Sequence, residues 1–364
     1  MNIFLRVDAS YYIGSGHVMR CLVLARACRE KGAEVTFVCR ELPGNLISLI
    51  EQDAFSVVVL SFDDTAYVRQ KDQTEYAFWL AVSQEQDAME TLAGIAYCDW
   101  MIVDHYGLDV QWQKTLRAKA RKIMVIDDLA NRQHDANLLL DQNYFVHAKQ
   151  RYVNWLPNYT KYLLGPDYAL LNVRWRQVRE KRRAAGKWQA SQGVQRILLF
   201  MGGADAINAT ATLLHAFPDR SVWSGKVDVV IGKINKHSDE ILKLCDGDAR
   251  FCSHTAPPYY MDLMAQADFA IAAAGSSAWE RCCIGLPALM FVVADNQIAI
   301  ATELSALAVQ EYGGDLRQLT METCRDILRR ALVGPGNHTQ QIAQGVTLCD
   351  GLGAKRVVEV LYEN

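Results

Sequence analysis

The stretch RVDASYYIGSGHVMRC, residues 6–21, sets a histidine directly behind Gly14-Ser15-Gly16 and directly ahead of a helical pattern. An imidazole in the first turn of a helix feels the partial positive charge of the helix end, which disfavours imidazolium. His17 is thereby biased toward the neutral form that a general base requires. Asp8 and Ser10 stand close by as polar partners. Two other uses of these residues compete. The histidine could cap its own loop, and Gly14-x-Gly16 suggests a dinucleotide fingerprint. Where that motif wants a third glycine, however, the chain runs Met19-Arg20, too large for the close helix–strand contact the glycine serves.

Three further stretches carry candidate chemistry. MIVDHYGLD, residues 101–109, places Asp104, His105 and Tyr106 just past an apolar strand pattern, at the edge of an open α/β sheet where ligands bind. Polar groups there can orient a sugar or a water, whereas Asp109 reads as the N-cap of the next helix. In RILLFMGGADAINATATLL, residues 196–214, a strand ends at Gly202-Gly203 and a helix is expected from about Ile207 with Asp205 as N-cap. Free amides and the helix dipole suit a phosphate there, although many tight strand–helix turns use glycine and bind nothing. FAIAAAGSSAWERCCIGLPALMFVVADNQ, residues 269–297, offers Gly275-Ser276-Ser277 to a diphosphate, and Glu280 one turn later can accept from both ribose hydroxyls. By spacing alone, Ser277 and Glu280 read as a capping box. Metal ligation is not favoured: the eight histidines lack H-x-x-x-H spacing, and Cys245-Asp246-Gly247-Asp248 falls at a helix-to-strand turn where Asp-Gly is ordinary.

Such loops need strands and helices to hold them. The runs NIFLRVD, EVTFVC, FSVVVL, DWMIVD and KIMVID alternate with helical patterns; in the first helix Val18, Cys21, Leu22, Ala25 and Cys28 share a face and Gly32 stops it. This is the pattern of buried parallel strands covered on both faces. Between about Tyr144 and Gln195 the alternation breaks, and the basic run RWRQVREKRRAAGKWQASQG, residues 174–193, reads as a solvated helix face and linker. Alternation resumes with RILLFMGG, KVDVVIGK, FAIAAAG and PALMFVV. The expected architecture is α/β, with two Rossmann-like doubly wound domains facing a central cleft. Residues 1–165 would carry the catalytic loop, 166–194 the linker and 195–364 the nucleotide site. A chain of 364 residues suits two cores better than one. Its 38 basic and 41 acidic residues give a net charge of −3, so no global field draws nucleic acid or an anionic membrane. Ten cysteines without a C-x-x-C pair, a strand-like N-terminus and no apolar run long enough to span a bilayer predict a cytoplasmic protein with reduced thiols.

Taken together, RVDASYYIGSGHVMRC, VDHYGLD, MGGAD and AAGSSAWERCCIGLPAL resemble, over essentially the whole chain, the UDP-2,4-diacetamido-2,4,6-trideoxy-β-L-altropyranose hydrolases of pseudaminic acid biosynthesis. The last motif is also similar to the glycosyltransferases that add N-acetylglucosamine to the lipid precursor of peptidoglycan. The resemblance implies the GT-B fold, UDP held by the C-terminal domain, and an inverting hydrolysis at the anomeric carbon without metal or other cofactor. It implies His17 as the base, with Arg6, Asp8, Gly14, Gly16, Asp104, Tyr106, Asn296 and Gln297 around the sugar. It implies Gly202, Gly203, Asp205, Gly275, Ser276, Ser277 and Glu280 around UDP. Trp279 departs from the smaller polar residue expected before that glutamate. The expected partners are a UDP-sugar and water, with no nucleic acid and no membrane, the chain acting as a monomer. Two alternatives share the nucleotide site. A glycosyltransferase would add an apolar, basic acceptor patch, of which residues 1–80 show no sign; a non-catalytic nucleotide-sugar binding protein would have no use for a basic histidine at a helix start.

Overall fold

Apolar strand runs form two parallel sheets in the computed structural model, which describes residues 1–63, 75–189, 193–334 and 336–363. The chain divides into two units, Met1–Leu170 with Leu352–Asn364, and Leu171–Gly351.

The N-terminal unit holds β1 (Asn2–Val7), β2 (Glu34–Arg40), β3 (Ser56–Leu60), β4 (Cys98–Asp104), β5 (Ala120–Ile126), β6 (Leu138–Asp141) and β7 (Lys161–Leu164). Their order is β3-β2-β1-β4-β5-β6-β7, with parallel pairing throughout. The order reverses between β1 and β4, the switch point beyond which such sheets bind ligands. Val7 pairs with Asp104 there, so the loop leading to His17 and the one carrying His105 and Tyr106 leave the sheet side by side. Alternation along β1 sends Ile3, Leu5 and Val7 into one core with Val18, Cys21, Leu22 and Ala25 of the helix Gly16–Glu30. Phe4 enters a second core on the opposite face, with Met101, Val103 and Trp112.

The C-terminal unit holds β8 (Arg196–Phe200), β9 (Lys226–Ile231), β10 (Phe251–Thr255), β11 (Phe269–Ala273), β12 (Ala288–Val292) and β13 (Glu311–Asp315). They lie in the order β10-β9-β8-β11-β12-β13, again parallel. Its switch point falls between β8 and β11, the strands that precede Gly202-Gly203 and Gly275-Ser276-Ser277.

Two boundaries differ from expectation. The helix Gly353–Glu363 belongs to the N-terminal unit, not the C-terminal one, because its buried Val357, Val358 and Leu361 complete the core around the helix Gly16–Glu30. Trp100 donates its indole N–H to the Leu361 carbonyl at 3.2 Å. The expected linker is part of the C-terminal unit, apart from 166–170, which close the N-terminal unit, and 190–192, which lie outside the described residues. The helix Arg174–Ala184 keeps a solvated face, with Arg174, Gln177, Glu180, Lys181 and Arg183 exposed, but its other face is buried: Arg182 is 1% exposed and donates to the carbonyls of Met264, Ala265, Ala267, Ile284 and Gly285. Arg179 does the same for Cys283, Val346 and Cys349. The basic run thus satisfies carbonyls that helix C-termini leave without intrahelical partners.

Four strands went unanticipated. β6 and β7 are four residues each, β10 is polar and half exposed, and β13 carries Gly313-Gly314 beside an irregular register. Among the described residues no helix is long and apolar enough to cross a membrane.

Candidate active site

β4 ends on Asp104, which is fully buried and receives three side chains from one face of the helix Gly16–Glu30. His17, Arg20 and Cys21 are spaced i, i+3, i+4, so they project together. His17 Nδ1 lies 2.6 Å from Asp104 Oδ1, and Arg20 donates from Nη2 to Oδ1 and from Nε to Oδ2, each at 2.6 Å. The Cys21 thiol donates to Oδ2 at 3.3 Å. Burial pushes the Asp104 carboxyl up, but the Arg20 guanidinium and His17 outweigh it and hold it below the ordinary carboxylate range. An ionised acceptor at Nδ1 makes that nitrogen the proton carrier and leaves the lone pair on Nε2. The same pairing of a buried carboxylate with Nδ1 orients the histidine of catalytic triads.

Aromatic rings wall the imidazole. Tyr106 meets it edge-on at 4.7 Å between centroids and Trp79 at 6.1 Å, while Trp79 stacks on Tyr106 at 5.5 Å and Tyr76 closes against both. The His17 side chain stays 10% exposed while Asp104 fixes its orientation. Gly14 has φ +78° and its N–H bonds the Ser10 carbonyl at 2.9 Å, closing the tight turn that delivers the chain to Gly16, the first helical residue.

Several expected sugar contacts have other partners. Asp104 is fully buried, with its carboxylate oxygens turned to His17, Arg20 and Cys21. The Tyr106 hydroxyl donates to Asp128 at 2.5 Å, leaving its ring toward His17. Arg6 and Asp8 are buried beneath the sheet edge. Arg6 donates from Nη1 to Asp8 at 2.6 Å and grips Asp87 through Nη2 at 2.7 Å and Nε at 3.1 Å. Asp87 also receives Arg40 and the Trp112 indole, so this is a buried pair network whose rupture would strand a charge. His105 faces Asp8 at 3.4 Å, and burial pushes its imidazole down to about 4, keeping it neutral.

Spacing did not reveal Arg20, Cys21, Asp87, Asp128, Tyr76 or Trp79. Two signals were present: Arg20 lies one turn from His17, and Asp128 follows β5 as Asp104 ends β4.

The C-terminal unit presents two glycine loops with different fates. Gly202 has φ +100° and leads through Gly203 to Asp205, but the helix starts at Ala209 rather than near Ile207. Asp205 accepts from the Ala209 N–H at 2.8 Å and the Thr210 N–H at 3.0 Å. The chain's own carboxylate therefore occupies the helix end where a phosphate was expected. At Gly275 a Cβ would meet nothing within 4 Å, and the helix Ser277–Ile284 begins without a side-chain cap. The capping box is not formed, because the Ser277 hydroxyl accepts from Arg281 at 2.9 Å and Ser276 stands at the N-cap. That hydroxyl keeps its own proton to donate.

Glu280 lies half-buried on the next turn. Burial pushes its carboxyl up to about 7, against the pull of Arg281 and a hydrogen bond from Trp175. Trp279 is fully buried and takes no part in the loop surface. Asn296 is exposed in the 3-10 turn Asp295–Gln297, and Gln297 accepts from the Val293 N–H at 3.0 Å.

No family model matches the chain. It is 27% identical over 225 residues to the UDP-2,4-diacetamido-2,4,6-trideoxy-β-L-altropyranose hydrolase of Campylobacter jejuni, covering 62% of this chain and 68% of that protein. It is 20% identical over 305 residues to the spore coat polysaccharide biosynthesis protein SpsG of Bacillus subtilis, covering 83% and 80%. A match to an uncharacterised protein of Methanocaldococcus jannaschii, 22% identical over 296 residues, covers 80% of this chain but only about half, 55%, of that relative's length. Among solved structures, Acinetobacter baumannii MurG superposes with TM-score 0.62 at 14% identity over 100% of this chain and 99% of its own. Spinosyn rhamnosyltransferase SpnG complexed with thymidine diphosphate gives 0.62 at 16% identity over 100% of both. The two parallel-sheet α/β units, of seven and six strands, are those of the GT-B glycosyltransferase fold.

Proposed function

We propose that this protein processes a sugar nucleotide and, more finely, that it hydrolyses UDP-2,4-diacetamido-2,4,6-trideoxy-β-L-altrose at the anomeric carbon, a step of pseudaminic acid biosynthesis. The observation that carries the reading is His17 held through Nδ1 by a buried, arginine-secured Asp104, with Nε2 left as the base. Nε2 takes a proton from water as the water oxygen bonds to the anomeric carbon, and the sugar–oxygen bond to UDP breaks with its electrons leaving on UDP. The imidazolium so formed is stabilised by Asp104 and passes its proton to solvent. Amides and hydroxyls of Gly275-Ser276-Ser277, with the backbone of Gly202-Gly203, would hold the diphosphate, and Glu280 the ribose. Direct displacement inverts the anomeric centre. The names of the Campylobacter and Bacillus relatives support the sugar-nucleotide reading.

The test is turnover in ¹⁸O-water without any acceptor and after exhaustive chelation. The label should enter the free sugar and not UDP, and early NMR spectra should show the inverted anomer. Label in UDP, or UMP with a sugar phosphate as products, would overturn the mechanism.

A second reading, a glycosyltransferase, is favoured by one observation: Tyr11, Tyr12 and Met19, 45%, 63% and 45% exposed, flank His17 in sequence and offer apolar surface to an acceptor. UDP release that requires an added alcohol would select it.

A further inference from the structure

We infer that the C-terminal sheet carries a binding site for a divalent transition-metal cation of the zinc class, made by Asp228, Cys252 and His254. It takes no part in the hydrolysis proposed above and does not depend on that reading. β9 and β10 pair in parallel with Cys252 directly opposite Asp228, and the period of two along a strand puts His254 on the same face as Cys252. The thiol sulfur, a ring nitrogen and a carboxylate oxygen all lie within 4.8 Å of one another. A tetrahedral zinc, with bonds of about 2.0–2.3 Å, sets such atoms roughly 3.5 Å apart, so the Asp228 Oδ1–His254 Nε2 pair at 2.9 Å would open slightly while the wider separations, up to 4.8 Å, would close.

The surroundings match what a metal requires of its neighbours. Arg196 holds the Asp228 carboxylate, donating from Nε to Oδ2 at 2.6 Å and more weakly from Nη2 to Oδ1 at 3.3 Å, and Oδ1 faces His254 Nε2 at 2.9 Å. The other ring nitrogen, Nδ1, lies 3.3 Å from the Tyr259 hydroxyl. When Nε2 turns from Asp228 to the ion, its proton moves to Nδ1 and is donated to that hydroxyl, the arrangement that fixes a metal-bound imidazole. The Cys252 thiol gives its proton to solvent and binds as thiolate. The mixed sulfur, nitrogen and oxygen donors suit zinc rather than the all-oxygen preference of magnesium or calcium. Asp228 and His254 have side chains only 5% and 12% exposed, whereas Cys252 is exposed on the edge strand β10, so a fourth position opens to solvent.

The full chain, stripped with chelator and dialysed, is titrated with Co²⁺. A thiolate-to-cobalt charge-transfer band and tetrahedral ligand-field bands should saturate at one equivalent and be displaced by Zn²⁺. Cys252→Ser, an exposed substitution that spares the fold, should abolish the charge-transfer band and any rise in Tm with Zn²⁺. Tyr259→Phe should keep the band and weaken affinity roughly ten- to a hundredfold. No band in the parent protein, or a band that survives Cys252→Ser through one of the nine buried cysteines, overturns the site.

Discussion

The carboxyl edges of the two sheets solve different problems. At the first, polar side chains are already bonded to one another: His17 to Asp104, Arg20 to Asp104, Tyr106 to Asp128, Arg6 to Asp8 and Asp87. At the second, the loop at Gly275 offers backbone with open space where a side chain would stand. Moving a proton requires a group fixed in orientation and ionisation, whereas holding a diphosphate requires amides with nothing in front of them. The loop at Gly202 falls between the two, since Asp205 already fills the helix end beyond it.

The largest expected effect tests the first edge. His17→Asn should lower kcat by roughly 10²–10⁴ with UDP affinity unchanged. Asp104→Asn should approach the same loss by favouring the wrong tautomer. Single-turnover kinetics alongside calorimetry with UDP separates the two quantities, and turnover within a few-fold of the parent protein removes His17 as the base.

Smaller effects test the second edge. Glu280→Gln should weaken UDP binding by about 1–3 kcal/mol with little change in Tm. The pH dependence has a definite sign. Burial raises the free carboxyl to about 7, and ribose hydroxyls donate to the ionised form, so UDP affinity should rise with pH and level off above about 7. In the Gln variant that slope should vanish; a slope that persists assigns the dependence to another group. Smallest is Asp205→Ala, which loses a helix cap worth about 0.5–2 kcal/mol, read as a lowered Tm. UDP affinity should hold or improve as an anion leaves the helix end, and a clear loss would return Asp205 to the nucleotide site.

What the sequence made legible follows from where each signal resides. Strand–helix alternation is local, so the paired doubly wound architecture could be read directly. The candidate loops could be read too, because glycine and strand end are neighbours in the chain. The wiring of the first edge could not. His17 and Asp104 are 87 positions apart, and nothing in either segment names the other. The same holds for Arg182, whose charge in a basic run suggested solvent while its partners lie about 80 to 100 residues away. The helix Gly353–Glu363 lies in sequence beyond the second sheet, and nothing local says that its Val357, Val358 and Leu361 cover the first core.

That returning helix sets an order of events during synthesis. N-terminal domains ordinarily fold first as the chain leaves the ribosome. Here the first core stays open until residues 353–363 have been made, after the whole of the second unit. Meanwhile, Trp100 and the apolar side of the helix bearing His17 lack their cover. A fragment of residues 1–170 should therefore be sticky and poorly folded alone, and a peptide of residues 352–363 supplied in trans should rescue it.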